Sequence, residues 1–178
     1  MKIDPSRTWK KVEERLAVET DPVLRRNLEV VLVHMKAEAA LDVDGLIETL
    51  SDRVSYHVYQ DPEPFLNPKG KAEVRTFYET FAASGAHRLQ FEVDRLVVDR
   101  DCVLTEGLMK IAYPGSVVLA MGHEIDDAEA YYLFQTHMAI LWPIDEDGKI
   151  LGEDTYAGAD GFLGIAERKL TLKEIEDS

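Results

Sequence analysis

The strongest constraint in this chain is a change of hydrophobic period partway along it. Leu24, Leu28, Val31, Leu32, Met35 and Ala39 recur at helical spacing, which predicts one long amphipathic helix from Pro22 to about Ala40. Asp21-Pro22 reads as an N-cap followed by proline at the first helical position, where the missing N–H costs nothing. From Leu89 the pattern alternates instead: Leu89, Phe91, Val93, Arg95 and Val97 take every second place, as in a half-buried strand. "DRD" at 99–101 then turns into a second run, Cys102 to Tyr113, and strands at Tyr131–Trp142 and Lys149–Ala157 flank the turn "DEDG". Short helices are expected over 6–19, carrying Trp9, Val12 and Leu16, and over 42–50. "RVSYHVYQ" has strand composition, and after Pro68 the stripe Val74, Phe77, Tyr78, Phe81 predicts another core helix. Residues 114–130 read as an insertion, a short strand followed by an acidic loop, and 165–176 as a closing helix.

Helices first and antiparallel strands after them define the fold class as α+β. The expected architecture is a curved antiparallel sheet wrapped around three helices into a cone with an internal pocket, plus N- and C-terminal helical extensions. At 178 residues the chain has the length of one domain. Its 34 acids against 20 bases give a formal charge of -14, which repels phosphate backbones and anionic lipid, so no nucleic acid and no membrane partner is expected. The N-terminus is too charged for a secretory signal, no apolar run approaches the roughly 20 residues of a membrane span, and a cytoplasmic location follows. Cys102 sits in an apolar run and reads as a small buried hydrophobe. "GHEIDDAE" at 122–129 matches neither a helical His pair nor a calcium-loop spacing, so it reads as a solvated acidic loop. No metal and no cofactor is expected.

Three pieces, taken in order, resemble a known superfamily: the long helix followed by "LDVDGLIETLSDRVSYHV", then "DPEPFLNPKGKAEVRTFYETF", then "DEDGKILGEDTY". The chain resembles the nuclear transport factor 2-like superfamily, and within it the SnoaL-like polyketide cyclases and ketosteroid isomerases. The resemblance covers about residues 22–158, leaving 1–20 and 159–178 as extensions. It implies a cone-shaped pocket for a small apolar molecule and a homodimer formed through the sheet. In ketosteroid isomerases an Asp-Pro pair precedes a loop glycine and a Phe-Tyr pair at spacings matched by Asp61, Gly70, Phe77 and Tyr78. The resemblance thus makes Asp61 the proton-moving carboxylate and Tyr78 a member of its hydrogen-bond network, with His34 near the position of an oxygen-holding tyrosine. A carboxylate held over an apolar pocket loses hydration, which moves its pKa toward a useful range. The competing reading of Asp61 is a turn initiator that caps a loop.

The family pattern is incomplete in this chain. The isomerases' second donor, an aspartate, falls near Ile140, and the cyclases' histidine and aspartate on the final strand fall at Glu153 and Thr155. Glu153 remains available as a different acid. Strand alternation and the family register put Met138, Ile140 and Trp142 on the concave face and His137 on the outer one, while the face of His57 stays open. The expected ligand contacts are Tyr56, His57, Phe77, Met138, Ile140, Trp142, Glu153 and Thr155, around the catalytic set Asp61, Tyr78 and His34. Two functions fit: a cofactor-free acid–base isomerase, dehydratase or cyclase acting on a small, mostly apolar compound, or a non-catalytic module for hydrophobic ligands or dimerisation. Whether Asp61 reaches His34 or Tyr78 discriminates between them.

Overall fold

A computed structural model describes residues 3–171 and 173–176. Its helices come first, as the periodicity requires: α1 (Arg7–Val18), α2 (Pro22–Ala39) and α3 (Val43–Glu48) precede the two-residue strand β1 (His57–Val58). Asp21 caps α2 by accepting the N–H groups of Val23 at 2.8 Å and Leu24 at 3.3 Å, satisfying donors that a helix start otherwise leaves orphaned. After a 3-10 turn at Pro64–Leu66 comes α4 (Gly70–Ser84), ended by Gly85 in the left-handed conformation, φ 79°, which a residue with a Cβ enters only at a cost.

The strands β2 (Leu89–Val98), β3 (Cys102–Pro114), β4 (Tyr131–Pro143), β5 (Asp154–Ala157) and β6 (Lys169–Leu170) complete a six-stranded sheet of order β1-β5-β4-β3-β2, with β6 paired to the start of β4. All pairings are antiparallel except β1 with β5. The architecture is therefore a mixed α+β fold whose curved sheet closes over the helices. Leu28, Val31, Leu32 and Met35 of α2 pack on Phe91, Val103, Ile140 and Trp142 of the sheet's inner face. Each such side chain contributes roughly 1.5–3 kcal/mol when fully buried. Asn27 adds a polar tie, donating from Nδ2 to the carbonyls of Asp99 and Arg100 at 2.9 and 3.0 Å, so α2 is pinned to the β2–β3 hairpin turn.

Two expected elements take other forms. Beyond Pro114, which ends β3, residues 115–130 contain no strand: Gly115–Ala120 form a short helix, α5, and the acidic loop after it is held rather than free. There Asp126 accepts the Tyr132 hydroxyl, Asp127 and Asp126 pair with Lys169 at 3.0 and 3.2 Å, and His123 stacks on Phe162 with ring centres 4.8 Å apart. The expected closing helix over 165–176 is instead a 3-10 turn, Ile165–Glu167, then β6, then the single-turn α6 (Lys173–Glu176). Edge pairing with Tyr131 and Tyr132 gives Lys169 and Leu170 backbone partners that a helix would not place there. In the N-terminal half of the curve, β2 shifts register between Val93 and Arg95. Gly107 lies opposite, where a Cβ would sit 2.0 Å from the Glu92 carbonyl oxygen.

A bulge of this kind bends and twists its strand, so Gly107 permits the close approach that curves the sheet. Gly107→Ala is expected to lower stability by about 2 kcal/mol through forced strand separation, read as a lower urea midpoint with an unchanged m-value. An unaffected midpoint would show that the strands accommodate the methyl group.

Candidate functional site

Strand alternation sends Tyr56 inward, and α4 brings Tyr78 to meet it. His34, on the α2 face that packs against the sheet, is fully buried at 0 % exposure. Between them stands Glu153, just before β5, with its side chain 14 % exposed. His34 Nε2 lies 3.0 Å from Glu153 Oε1, and the Tyr78 hydroxyl donates to the same oxygen at 3.0 Å. On the other side of the ring, His34 Nδ1 lies 2.8 Å from Thr49 Oγ1, whose own proton goes to the Leu46 carbonyl at 2.6 Å. Thr49 therefore accepts from His34 Nδ1–H, and a proton bridges Nε2 and the Glu153 carboxyl. The Tyr56 and Tyr78 hydroxyls are 3.4 Å apart; with the Tyr78 proton directed at Glu153, Tyr56 donates to Tyr78.

Burial, reinforced by the Glu153 charge, pushes both phenols well above their ordinary range. They are neutral donors at any physiological pH. Glu38, one turn beyond His34 on α2, faces the same space. Burial first, and the Glu153 charge second, raise its carboxyl to about 8, so Glu38 is mainly protonated at neutral pH. Two carboxyls in different protonation preferences across one space form the arrangement expected of an acid and a base. Between them is a cavity of about 40 Å³, walled by Glu38, Glu153, Phe91, Ile140, Trp142 and Thr8 of α1. A space of that size has room for no more than a few waters.

The expected site residues separate into groups. His34, Tyr78, Tyr56 and Glu153 come together, and Ile140 and Trp142 line the cavity, with Trp142 edge-on to His34 at 5.4 Å between ring centres. Phe77 packs behind the tyrosines, 5.2 Å from Tyr78 between ring centres. Met138 packs against the core, and Thr155, paired with Val58 and Ile140, shares the inner face. His57 points to the outer face, where its Nδ1 meets Asp154 at 2.6 Å. His137 is likewise outer, between Asp94 and Glu106 at 3.5 and 3.2 Å.

Asp61 is elsewhere. Its carboxylate accepts the Glu63 N–H at 3.1 Å and its carbonyl accepts Asn67 Nδ2 at 2.8 Å, the bonding of a loop cap. Among the described residues no hydrogen bond links it to His34 or Tyr78, and the carboxylate position in that cluster belongs to Glu153. The reason is local: Asp61 Oδ1 satisfies a backbone donor two residues on, whereas Glu153 is carried inward by the register of β5. Sequence reasoning missed Glu38 and Thr49. For Glu38 a signal existed, since it follows His34 by four residues on one helix face. Thr49 gave none, because only the packing of α3 against α2 brings it to the ring. Among the described residues no cluster of His, Cys, Asp and Glu has the makings of a metal site, and no helix is long and apolar enough to cross a membrane.

A cone of this topology, with polar side chains converging at its centre, defines the nuclear transport factor 2-like class. Within it, the SnoaL-like domain matches residues 31–152, and the chain belongs to that family. Similar solved structures include an LEH-like epoxide hydrolase of M. tuberculosis, with TM-score 0.63, 16% identity and 83% of this chain and 94% of that one covered. A protein assigned as a SnoaL-like polyketide cyclase from Shewanella denitrificans gives TM-score 0.64 at 11% identity, over 83% of this chain and 98% of that one. SalBIII, an epoxide hydrolase/cyclase-like enzyme of pyran-ring formation in salinomycin, gives 0.53 at 14% identity, over 75% and 92%. These likenesses concern the fold. A search of curated proteins by sequence returns no match.

Glu38 ties stability to pH. The folded carboxyl titrates near 8 and an unfolded glutamate near about 4.3, so between these values the folded chain binds the extra proton and loses stability as pH rises. Glu38→Gln is therefore expected to be more stable than wild type by a margin that grows from about pH 5 to about pH 8 and then levels. Urea midpoints across that range check it; a margin independent of pH would mean that the carboxyl titrates as in water.

Proposed function

We propose that this protein is a cofactor-free acid–base enzyme acting on a small, mostly apolar carbonyl, hydroxyl or epoxide compound held at the centre of the cone. The observation that carries the reading is the placing of the Glu153–His34–Tyr78 network and the Glu38 carboxyl on one cavity. Glu153, oriented by His34 and Tyr78, takes a proton from water or from an acidic C–H. Glu38 gives one to the oxygen on which negative charge develops, and neutral Tyr56 and Tyr78 offer further donors. In an epoxide opening, the water oxygen bonds to carbon as the ring C–O bond breaks, Glu153 gains the water proton and Glu38 protonates the alkoxide. Proton return from Glu153 to Glu38 resets the pair. Isomerisation, dehydration and cyclisation use the same two-carboxyl exchange on other substrates. The similar structures described as epoxide hydrolase-like and polyketide cyclase-like support this range of chemistry for the fold without choosing within it.

The cavity is smaller than such substrates, and Thr8 of α1 forms part of its wall. Admission therefore requires α1 or the lining side chains to move. The same small volume favours a second reading, a binding or dimerisation module without turnover. A homodimer through the sheet and a cytoplasmic location accompany either reading, and sedimentation equilibrium tests the first of these.

A panel of epoxides, ketones and aromatic polyketide-like compounds, screened by thermal shift and then by product analysis, tests the enzyme reading, since a ligand of the folded state raises apparent stability. Glu153→Gln is expected to lower kcat/KM at least about 100-fold, whereas Asp61→Asn stays within about threefold. A fully active Glu153→Gln protein would overturn the assignment, and ligands that shift stability without product would leave the binding module.

A further inference from the structure

The outer face of the β1–β5 edge carries a second chain of hydrogen bonds, independent of the cavity. Ser55, His57 and Tyr59 alternate away from the inward Tyr56. The parallel pairing sets His57 opposite Asp154, so Asp154 and Tyr156 share that outer face. His57 Nδ1–H donates to Asp154 Oδ1 at 2.6 Å, and Ser55 Oγ lies 3.3 Å from His57 Nε2. With the Nδ1 proton committed to the carboxylate, Nε2 is the acceptor facing the serine hydroxyl. The His57 side chain is 43 % exposed and that of Asp154 21 %, an accessible base with a more shielded orienting carboxylate. Beside them Tyr59 and Tyr156 stack at 4.6 Å between ring centres, with Tyr59 5.8 Å from His57. Both tyrosines are largely solvent-exposed, at 57% and 48%, and form an aromatic platform.

We propose that Ser55, His57 and Asp154 form a nucleophilic triad that acts on activated aryl esters, with the aryl group resting on the Tyr59–Tyr156 platform. Ser55 Oγ bonds to the acyl carbon while its proton passes to His57 Nε2. The bond from the acyl carbon to the aryl oxygen then breaks, and His57 returns the proton to the departing phenolate. Water hydrolyses the acyl-serine by the same route, giving the acid and regenerating Ser55. Asp154 holds the imidazole in its tautomer and stabilises the imidazolium. The backbone N–H groups of Ser55, Tyr56 and His57 are bonded to the carbonyls of Leu151, Pro68 and Glu153 at 2.9, 3.0 and 2.9 Å, so these amides are not oxyanion donors. That restricts the substrates to esters with good leaving groups, because a poor one needs the oxyanion stabilisation that such donors provide.

The test is labelling of the full chain with an aryl-linked fluorophosphonate, which forms a serine–phosphorus bond with loss of fluoride, together with hydrolysis of 4-nitrophenyl acetate. A single adduct mapped by peptide mass to Ser55 is expected, lost in Ser55→Ala. His57→Gln and Asp154→Asn are expected to slow labelling at least tenfold, with circular dichroism and thermal melting confirming that each variant is folded. In the wild type, the labelling rate should rise with pH, and this pH profile should flatten in His57→Gln and change in Asp154→Asn. Absence of a Ser55 adduct at millimolar probe, or a wild-type labelling rate in folded His57→Gln, would overturn the triad.

Discussion

A carboxylate enclosed beneath a curved sheet governs the interior of this protein. Glu153 has lost most of its water, and an isolated charge in that position would be strongly disfavoured. The fold compensates by aiming His34 and Tyr78 at the same oxygen and by fixing the imidazole through Thr49. The consequence extends to Glu38, whose carboxyl is pushed up because a second charge in this space would face both poor solvation and the first. The two carboxyls thus differ through placement alone, although both are glutamates.

Sheet register keeps two polar clusters apart. Tyr56 and His57 are adjacent in the chain, as are Glu153 and Asp154, yet the first of each pair turns into the cone and the second turns out. A slip of one residue between β1 and β5 would exchange these faces and place His57 in the core. The parallel pairing of His57 with Asp154 and of Val58 with Thr155 is therefore the contact on which both polar clusters rest. It is a short pairing, supported by the longer β4–β5 ladder beside it.

Curvature supplies the remaining condition. The bulge near Asp94 and the close approach at Gly107 bend the sheet so that β2 and β4 enclose one side of the space while α2 supplies the other. Trp142 fills much of that space, its indole N–H donating to Thr105 Oγ1 at 3.0 Å and its ring meeting His34. The aromatic that holds the histidine edge-on is also what leaves the cavity small, and α1, outside the matched family region, closes it further.

Much of this architecture was legible in the residues. The α2 stripe, the Asp21-Pro22 start and the β2–β3 hairpin follow from periodicity and cap chemistry, which act over a few neighbours, and the outward turn of His137 follows from alternation once the family resemblance sets the register. The family resemblance singled out His34 and Tyr78, which meet at one oxygen of Glu153. Residues 114–130 and 165–176 were not, because a short helix and an edge strand there depend on distant partners such as Ala130, Tyr131 and Tyr132. By itself the sequence determined the order of the long helices and strands, the Asp21 cap of α2 and the acidic surface, since local sterics and patterning suffice for these. Only tertiary structure decided that Glu153 rather than Asp61 joins the histidine, because a carboxylate's neighbours and hydration depend on segments more than a hundred residues apart meeting beneath one sheet.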